Sequence, residues 1–228
     1  MDIMRIRQRA FLLTAAGAAA AAMISCSPQY APNSVNTPML SERGEVHASL
    51  ELGSSGFQLQ SAYALGDRTA LMLNAQTAPG DNPRQSFVEG GVGYFSPSGD
   101  GRFETFGGFG VGRAGTASEQ KDIWRAFGQI GYGFPGDNLE VAFALRLLAL
   151  NFNEPAAEYE SPYGIEYEPA TDYLNVYLDP VVTARAGWRN VKFHAQIGAS
   201  IRAGDGGYTY IPVILNLGMT LRFNALLL

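Results

Sequence analysis

The chain has 228 residues and a formal charge of −5, with 21 acidic side chains against 16 Lys plus Arg, two His and one Cys. A single cysteine excludes an internal disulfide framework and a cysteine-based metal site. An acidic chain without a basic stripe excludes nucleic-acid binding, which works by neutralising phosphates.

Arg5, Arg7 and Arg9 precede an apolar run over residues 10–22, and Met23-Ile24-Ser25-Cys26 follows. A basic start, a short apolar stretch and a small residue at the cut make a secretory signal. The run is too short for a spanning helix, which takes roughly 20 apolar residues. The segment resembles a bacterial lipoprotein signal, with Cys26 at the lipidated position and Ser25 before it. The competing expectation is an ordinary signal whose cysteine is discarded by cleavage slightly further on. Removing residues 1–25 takes the formal charge to about −7. Residues 26–43 carry Pro28, Pro32 and Pro38 among Ser and Asn, with no apolar period. They are expected to be a lipidated, flexible tether.

From residue 44 to 228 the apolar period is two, the mark of half-buried strands. A first strand over 44–52 sets Val46, Leu50 and Leu52 against Glu45, His47 and Glu51. Strands over 56–65 and 68–77 set Phe57, Leu59, Leu71 and Leu73 against Gln58, Gln60, Asn74 and Gln76. Over 85–95 and 102–113, Val88, Val92, Phe103 and Phe109 oppose Glu89, Arg102 and Glu104. Over 122–134 and 138–150, Ile130, Phe143 and Leu145 oppose Arg125, Gln129, Glu140 and Arg146. The last three, over 172–188, 191–202 and 208–223, set Leu174, Ile197, Leu215 and Leu217 against Thr183, Arg185, Lys192, His194, Gln196, Arg202 and Arg222.

Ten strands, with eight as the fallback, are joined by connections that alternate between tight turns and longer loops. Short turns at one end and long loops at the other are how transmembrane barrels are built. Aromatics Tyr63, Tyr94, Trp124, Phe134, Trp188 and Phe223 end the apolar face at several strand termini, as rings do at a membrane boundary. Balanced charges on the polar face suit a narrow lumen in which they pair, since an unpaired buried charge is costly. The reading is therefore an all-β, closed antiparallel transmembrane β-barrel. Its expected lumen network comprises Glu45, Glu89, Glu104, Arg125, Glu140, Arg146, Arg185, Arg202 and Arg222. Starting from the tether, both termini and the short turns fall at one end, expected to be periplasmic, with the longer loops extracellular.

Residues 38–44, Gln60-Ser61-Ala62-Tyr63-Ala64, the run Val88-Glu89-Gly90-Gly91-Val92-Gly93-Tyr94-Phe95 and Phe103-Glu104-Thr105-Phe106-Gly107-Gly108 resemble a family of small bacterial outer-membrane β-barrel proteins with lipoprotein signals. The resemblance spans most of residues 38–223. Its motifs are structural, so it implies a fold and says little about activity.

No nucleophile, zinc-helix or phosphate-loop signature stands out. His47 and His194 share the polar face, and with Glu45 they make a candidate metal or enzyme site within a span of roughly 10–15 Å. Paired lumen histidines are the plainer expectation, and no cofactor is expected. The segment 152–171 carries Glu158, Tyr159, Glu160, Tyr163, Glu166 and Tyr167 and is read as a long loop, a candidate site for an extracellular partner. The expected function is an outer-membrane barrel with a side-chain-filled lumen, surrounded by outer-membrane lipid, in a structural or surface-interaction role. The alternatives are a membrane-embedded barrel enzyme or metal-binding barrel using His47 and His194, and a soluble periplasmic barrel carrying a hydrophobic ligand.

Overall fold

A computed structural model describes residues 28–98, 100–154, 157–161, 164–168, 171–204 and 206–227. The expected signal and Cys26 lie outside these residues, as does Tyr163. Thirteen strands form among the described residues: β1 (Glu45–Gly53), β2 (Gly56–Ala64), β3 (Thr69–Ala78), β4 (Arg84–Ser98), β5 (Gly101–Gly115), β6 (Gln120–Phe134), β7 (Leu139–Glu154), β8 (Ala157–Ser161), β9 (Gly164–Glu168), β10 (Thr171–Gly187), β11 (Val191–Ala199), β12 (Ile201–Ala203) and β13 (Val213–Asn224).

Each barrel strand pairs antiparallel with the next, and β13 pairs with both β11 and β1, which closes the sheet. Closure removes the sheet edges except at the short β12, which pairs with β10 alone. Strands β11 and β12 keep one register on β10, with Gly198 opposite Val181 and Ile201 opposite Leu178. They are one barrel strand interrupted at Ser200, beside Pro180, which has no N–H to add to the ladder. The barrel therefore has ten strands.

Two boundaries differ from the sequence reading. Strand β13 begins at Val213, because Tyr208 and Tyr210 leave the ladder and turn to the lumen mouth. The expected loop over 152–171 is largely strand: β7 runs to Glu154, β10 starts at Thr171, and β8 and β9 form an antiparallel hairpin between them.

Burial is inside out. Along β1, Glu45, His47, Ser49 and Glu51 are buried, while Leu50 is 58% and Leu52 55% exposed. The same holds around the barrel, with Leu73, Leu147 and Leu217 exposed and Gln76, Arg146 and Asn216 buried. Period-two alternation fixes this, since a slip of one residue would exchange the two faces.

The stretch expected to be a flexible tether is not one from Pro28 onward. Every residue from 30 to 40 is buried. It threads the lumen lengthwise. Tyr30 bridges Tyr210 in the β12–β13 connection, and Gly44 N donates to Ala64 O at the opposite end, where β1 begins. Eleven extended residues reach about 35 Å, and the segment runs from the loop end of the barrel to its turn end. Pro28 thus lies at the long-loop end, and the expectation that both termini sit with the short turns does not hold for the described chain.

Candidate functional site

The lumen is the site. Its lining follows from the inward parity of nearly every strand, and its occupant is the segment from Tyr30 to Leu40. The lining addresses the main chain of that segment. Gln85 on β4 accepts from Ala31 N at 2.9 Å and donates to Ala31 O at 2.7 Å. Gln196 on β11 does the same to Val35, at 2.8 and 2.9 Å. Gln58 accepts from Ser34 N at 2.9 Å, and Gln60 donates to Ser34 O at 3.2 Å. Gln129 on β6 donates to Asn36 O at 2.7 Å. A buried backbone group without a partner costs about 1–3 kcal/mol, so amide side chains here replace the water or strand neighbour an extended chain needs.

The charged lining divides into three groups. At mid-height Arg125 pairs with Glu89 and lies 3.4 Å from the centre of the Phe87 ring. Glu89 also accepts from Asn74 at 2.8 Å and from Asn33 of the threaded segment at 3.2 Å. Close by, Arg146 donates to Asp179 through Nε at 3.0 Å and Nη2 at 2.8 Å, and to Asn33 O at 3.1 Å. Ser200 completes the Asp179 shell at 2.6 Å.

Toward the short turns, Glu140 accepts from Arg222 at 2.7 and 3.0 Å and lies 3.3 Å from Lys192. Glu45 takes His47 at 2.8 Å and the Ser41 backbone at 2.6 Å. Arg185 donates to Thr37 O at 2.6 Å, and Glu104 accepts from Met39 N at 2.9 Å. Met39 has a left-handed backbone, φ 53°, which turns its side chain onto β6. Gly133 makes room there, because a Cβ at that position would overlap Met39 Sδ.

At the loop end the lumen becomes aromatic. Tyr30 lies edge-on to Phe152, and Phe152 packs on Tyr208 with ring centres 4.0 Å apart. Tyr177 donates to Tyr208 at 2.8 Å. Arg202 donates to Tyr208 O at 2.6 Å and lies 4.9 Å from the Tyr210 ring centre, so it belongs to this cap and not to the mid-lumen network.

The two histidines do not converge. Opposite β13, His47 faces Arg222 and His194 faces Gly218, four residues or about 14 Å along the strand. Each takes its own carboxylate, Glu45 for His47 and Glu51 for His194, the latter at 3.0 Å. Thr220 completes the His194 shell at 3.0 Å. Among the described residues, no three His, Cys, Asp or Glu side chains are grouped to hold a metal.

On the hairpin, Glu158 stands opposite Tyr167, Tyr159 opposite Glu166 and Glu160 opposite Ile165. Sequence reasoning missed Asp179, which sits at the inward parity of β10, and it missed Glu51 as the partner of His194. It also missed the lumen glutamines as a binding surface, because nothing in their spacing announces the chain they hold.

No family pattern matches this sequence, and no curated protein matches it. Among solved structures, the chain is similar to the N-terminal β-barrel domain of Pseudomonas aeruginosa OprF, at 12% identity and a TM-score of 0.34, covering 79% of this chain and 98% of that one.

Proposed function

We propose that the chain is an outer-membrane β-barrel closed by its own N-terminal segment, with a structural or surface-interaction role and no catalysis. Membrane residence is supported by the inside-out burial. Aliphatic side chains more than half exposed ring the barrel, and ion pairs fill it. A soluble carrier of hydrophobic ligands needs the reverse arrangement.

Closure is the observation that carries the functional reading. Residues 30–40 occupy the lumen, with the main chain of Ala31, Ser34 and Val35 bonded at both N–H and C=O. Ions would have to cross a space already occupied by a bonded chain. The long hairpin β8–β9, with Glu158, Tyr159, Glu160, Glu166 and Tyr167, is the surface proposed to meet an extracellular partner. Cys26 is the proposed lipidation site.

Planar-bilayer recording of the full chain tests the closure. The expected trace lacks large, steady, nonselective openings, and a trace that shows them overturns the proposal. Surface proteolysis of intact cells tests the membrane reading: cleavage within 152–171 places the hairpin outside.

A further inference from the structure

From the exit point of the threaded segment, we infer that it delivers the upstream chain to the long-loop face of the barrel, so that a lipid on Cys26 anchors in the leaflet on that face. The inference deepens the reading above and rests on it for the membrane and the lipid.

Three observations fix the exit. Gln29 N donates to Thr209 O at 2.9 Å, Ile211 N donates to Tyr30 O at 2.9 Å, and Tyr30 bridges Tyr210 in parallel. Residues 29 and 30 therefore extend the sheet beside the β12–β13 connection. The Gln85 and Gln196 amide pairs then hold the chain along the lumen, and Met39 keys into Gly133 near the turns.

Cys26 is two residues before Pro28, and each trans peptide advances the chain by at most about 3.8 Å. Its Cα is therefore within about 8 Å of Pro28. The short-turn face lies a full membrane thickness away, about 30 Å. Acyl chains on that cysteine reach the loop-side leaflet and no other. With long loops outward, a lipid on Cys26 lies at the cell surface.

The consequence for assembly is topological. The segment sits inside a sheet that β13 closes, and it is covalently continuous with β1. The barrel must therefore shut around it, or it must be drawn through while the β1–β13 seam is open.

Two experiments separate this inference from the membrane reading. In detergent-solubilised full-length protein, the pair Gln29→Cys and Thr209→Cys is expected to oxidise to a disulfide, and the pair Gln29→Cys and Asn190→Cys is not. Asn190 lies in the β10–β11 short turn. The opposite result places the exit at the turn end and overturns the inference without reference to any membrane.

In intact cells a membrane-impermeant maleimide is applied to Ser27→Cys, Asp81→Cys and Asn190→Cys variants. The parent chain, whose Cys26 is the only thiol, sets the background. Ser27→Cys is expected to label like Asp81→Cys, which lies in the β3–β4 loop, while Asn190→Cys labels only after the cells are broken. Ser27→Cys labelling with Asn190→Cys overturns the inference. Equal labelling of Asp81→Cys and Asn190→Cys in intact cells overturns the membrane reading, and the lipid placement falls with it.

Discussion

Gln85 holds Ala31 by both ends of its amide, accepting from the backbone N at 2.9 Å and donating to the carbonyl at 2.7 Å. One side chain thereby does for Ala31 what a neighbouring strand does for a residue in a sheet. Four residues on, Gln196 repeats the arrangement on Val35 from the far wall. Both glutamines are almost fully buried, so neither end of either amide has water as a substitute.

Gln85→Ala removes both partners of Ala31 and leaves two buried backbone groups unmet. The expected loss of unfolding free energy is about 1–3 kcal/mol per unmet group, read from urea titration in detergent or lipid. Gln85→Glu keeps the acceptor but sets a buried carboxylate oxygen against the Ala31 carbonyl, so it is expected to destabilise at least as much as Gln85→Ala. A Gln85→Ala variant as stable as the parent would show that the segment is not held here.

The Arg146–Asp179 pair is a second test, because Arg146 also donates to Asn33 O. Asp179→Ala leaves a buried guanidinium without its counter-ion and is expected to cost about 3–5 kcal/mol. Replacing both partners, Arg146→Met with Asp179→Leu, is expected to recover most of that loss, since two charges no longer need burial. It does not restore the Asn33 contact. The cycle of Arg146→Met, Asp179→Leu and the double variant gives the coupling directly, and a coupling near zero would contradict the pairing.

The barrel wall was legible in the sequence, and its contents were not. Glu45 to Leu52 alternates polar and apolar without a break, and the register of β1 on β2 and β13 follows that alternation residue by residue. The plug escaped notice for a physical reason. A segment that fills a polar lumen must itself be polar, so Asn33, Ser34, Asn36 and Thr37 have the composition of a solvated linker. Prolines at 32 and 38 strengthen that impression, although they suit an extended chain whose neighbours are side chains and not strands. The β8–β9 hairpin did leave a signal. Glu158-Tyr159-Glu160 and Glu166-Tyr167-Glu168 both alternate with a period of two, but their charge gives them the composition of a solvated loop.

Met39 and Gly133 fit as knob and hole near the short turns. Gly133→Ala is expected to overpack the site and cost about 1–3 kcal/mol. Met39→Ala removes the side chain that Cβ would meet, so the Gly133→Ala penalty is expected to shrink in that background. Equal penalties in both backgrounds would mean that Met39 does not rest on β6.

The outward face makes its own prediction. Leu50 is 58% exposed and faces Leu59 on one side and Met219 on the other, an apolar row on the outer wall. Leu50→Arg places a cation in that row, which in a bilayer costs about 2–4 kcal/mol near the midplane. In water the same substitution on an exposed strand position costs little, usually within about 0.5 kcal/mol. Folding titrations in lipid vesicles measure the difference. A loss of a few kcal/mol supports acyl chains as the solvent of this face, and an unchanged stability would argue that the face meets water.

Deleting residues 28–40 while keeping the strands removes every main-chain partner of Gln58, Gln60, Gln85, Gln129 and Gln196 in the segment. If the segment is what seals the lumen, the deleted barrel is expected to conduct where the full chain does not. The Glu89–Arg125 and Arg146–Asp179 pairs still line the wall of the lumen, so the conductance is expected to be small compared with that of a wide porin. Adding a synthetic peptide of residues 28–40 from the loop side is then expected to lower the conductance, because the lumen amides address main chain and need no covalent link to β1. Conduction that is absent in the deleted barrel, with folding confirmed by circular dichroism, would assign closure to the lining side chains alone and remove the segment from that role.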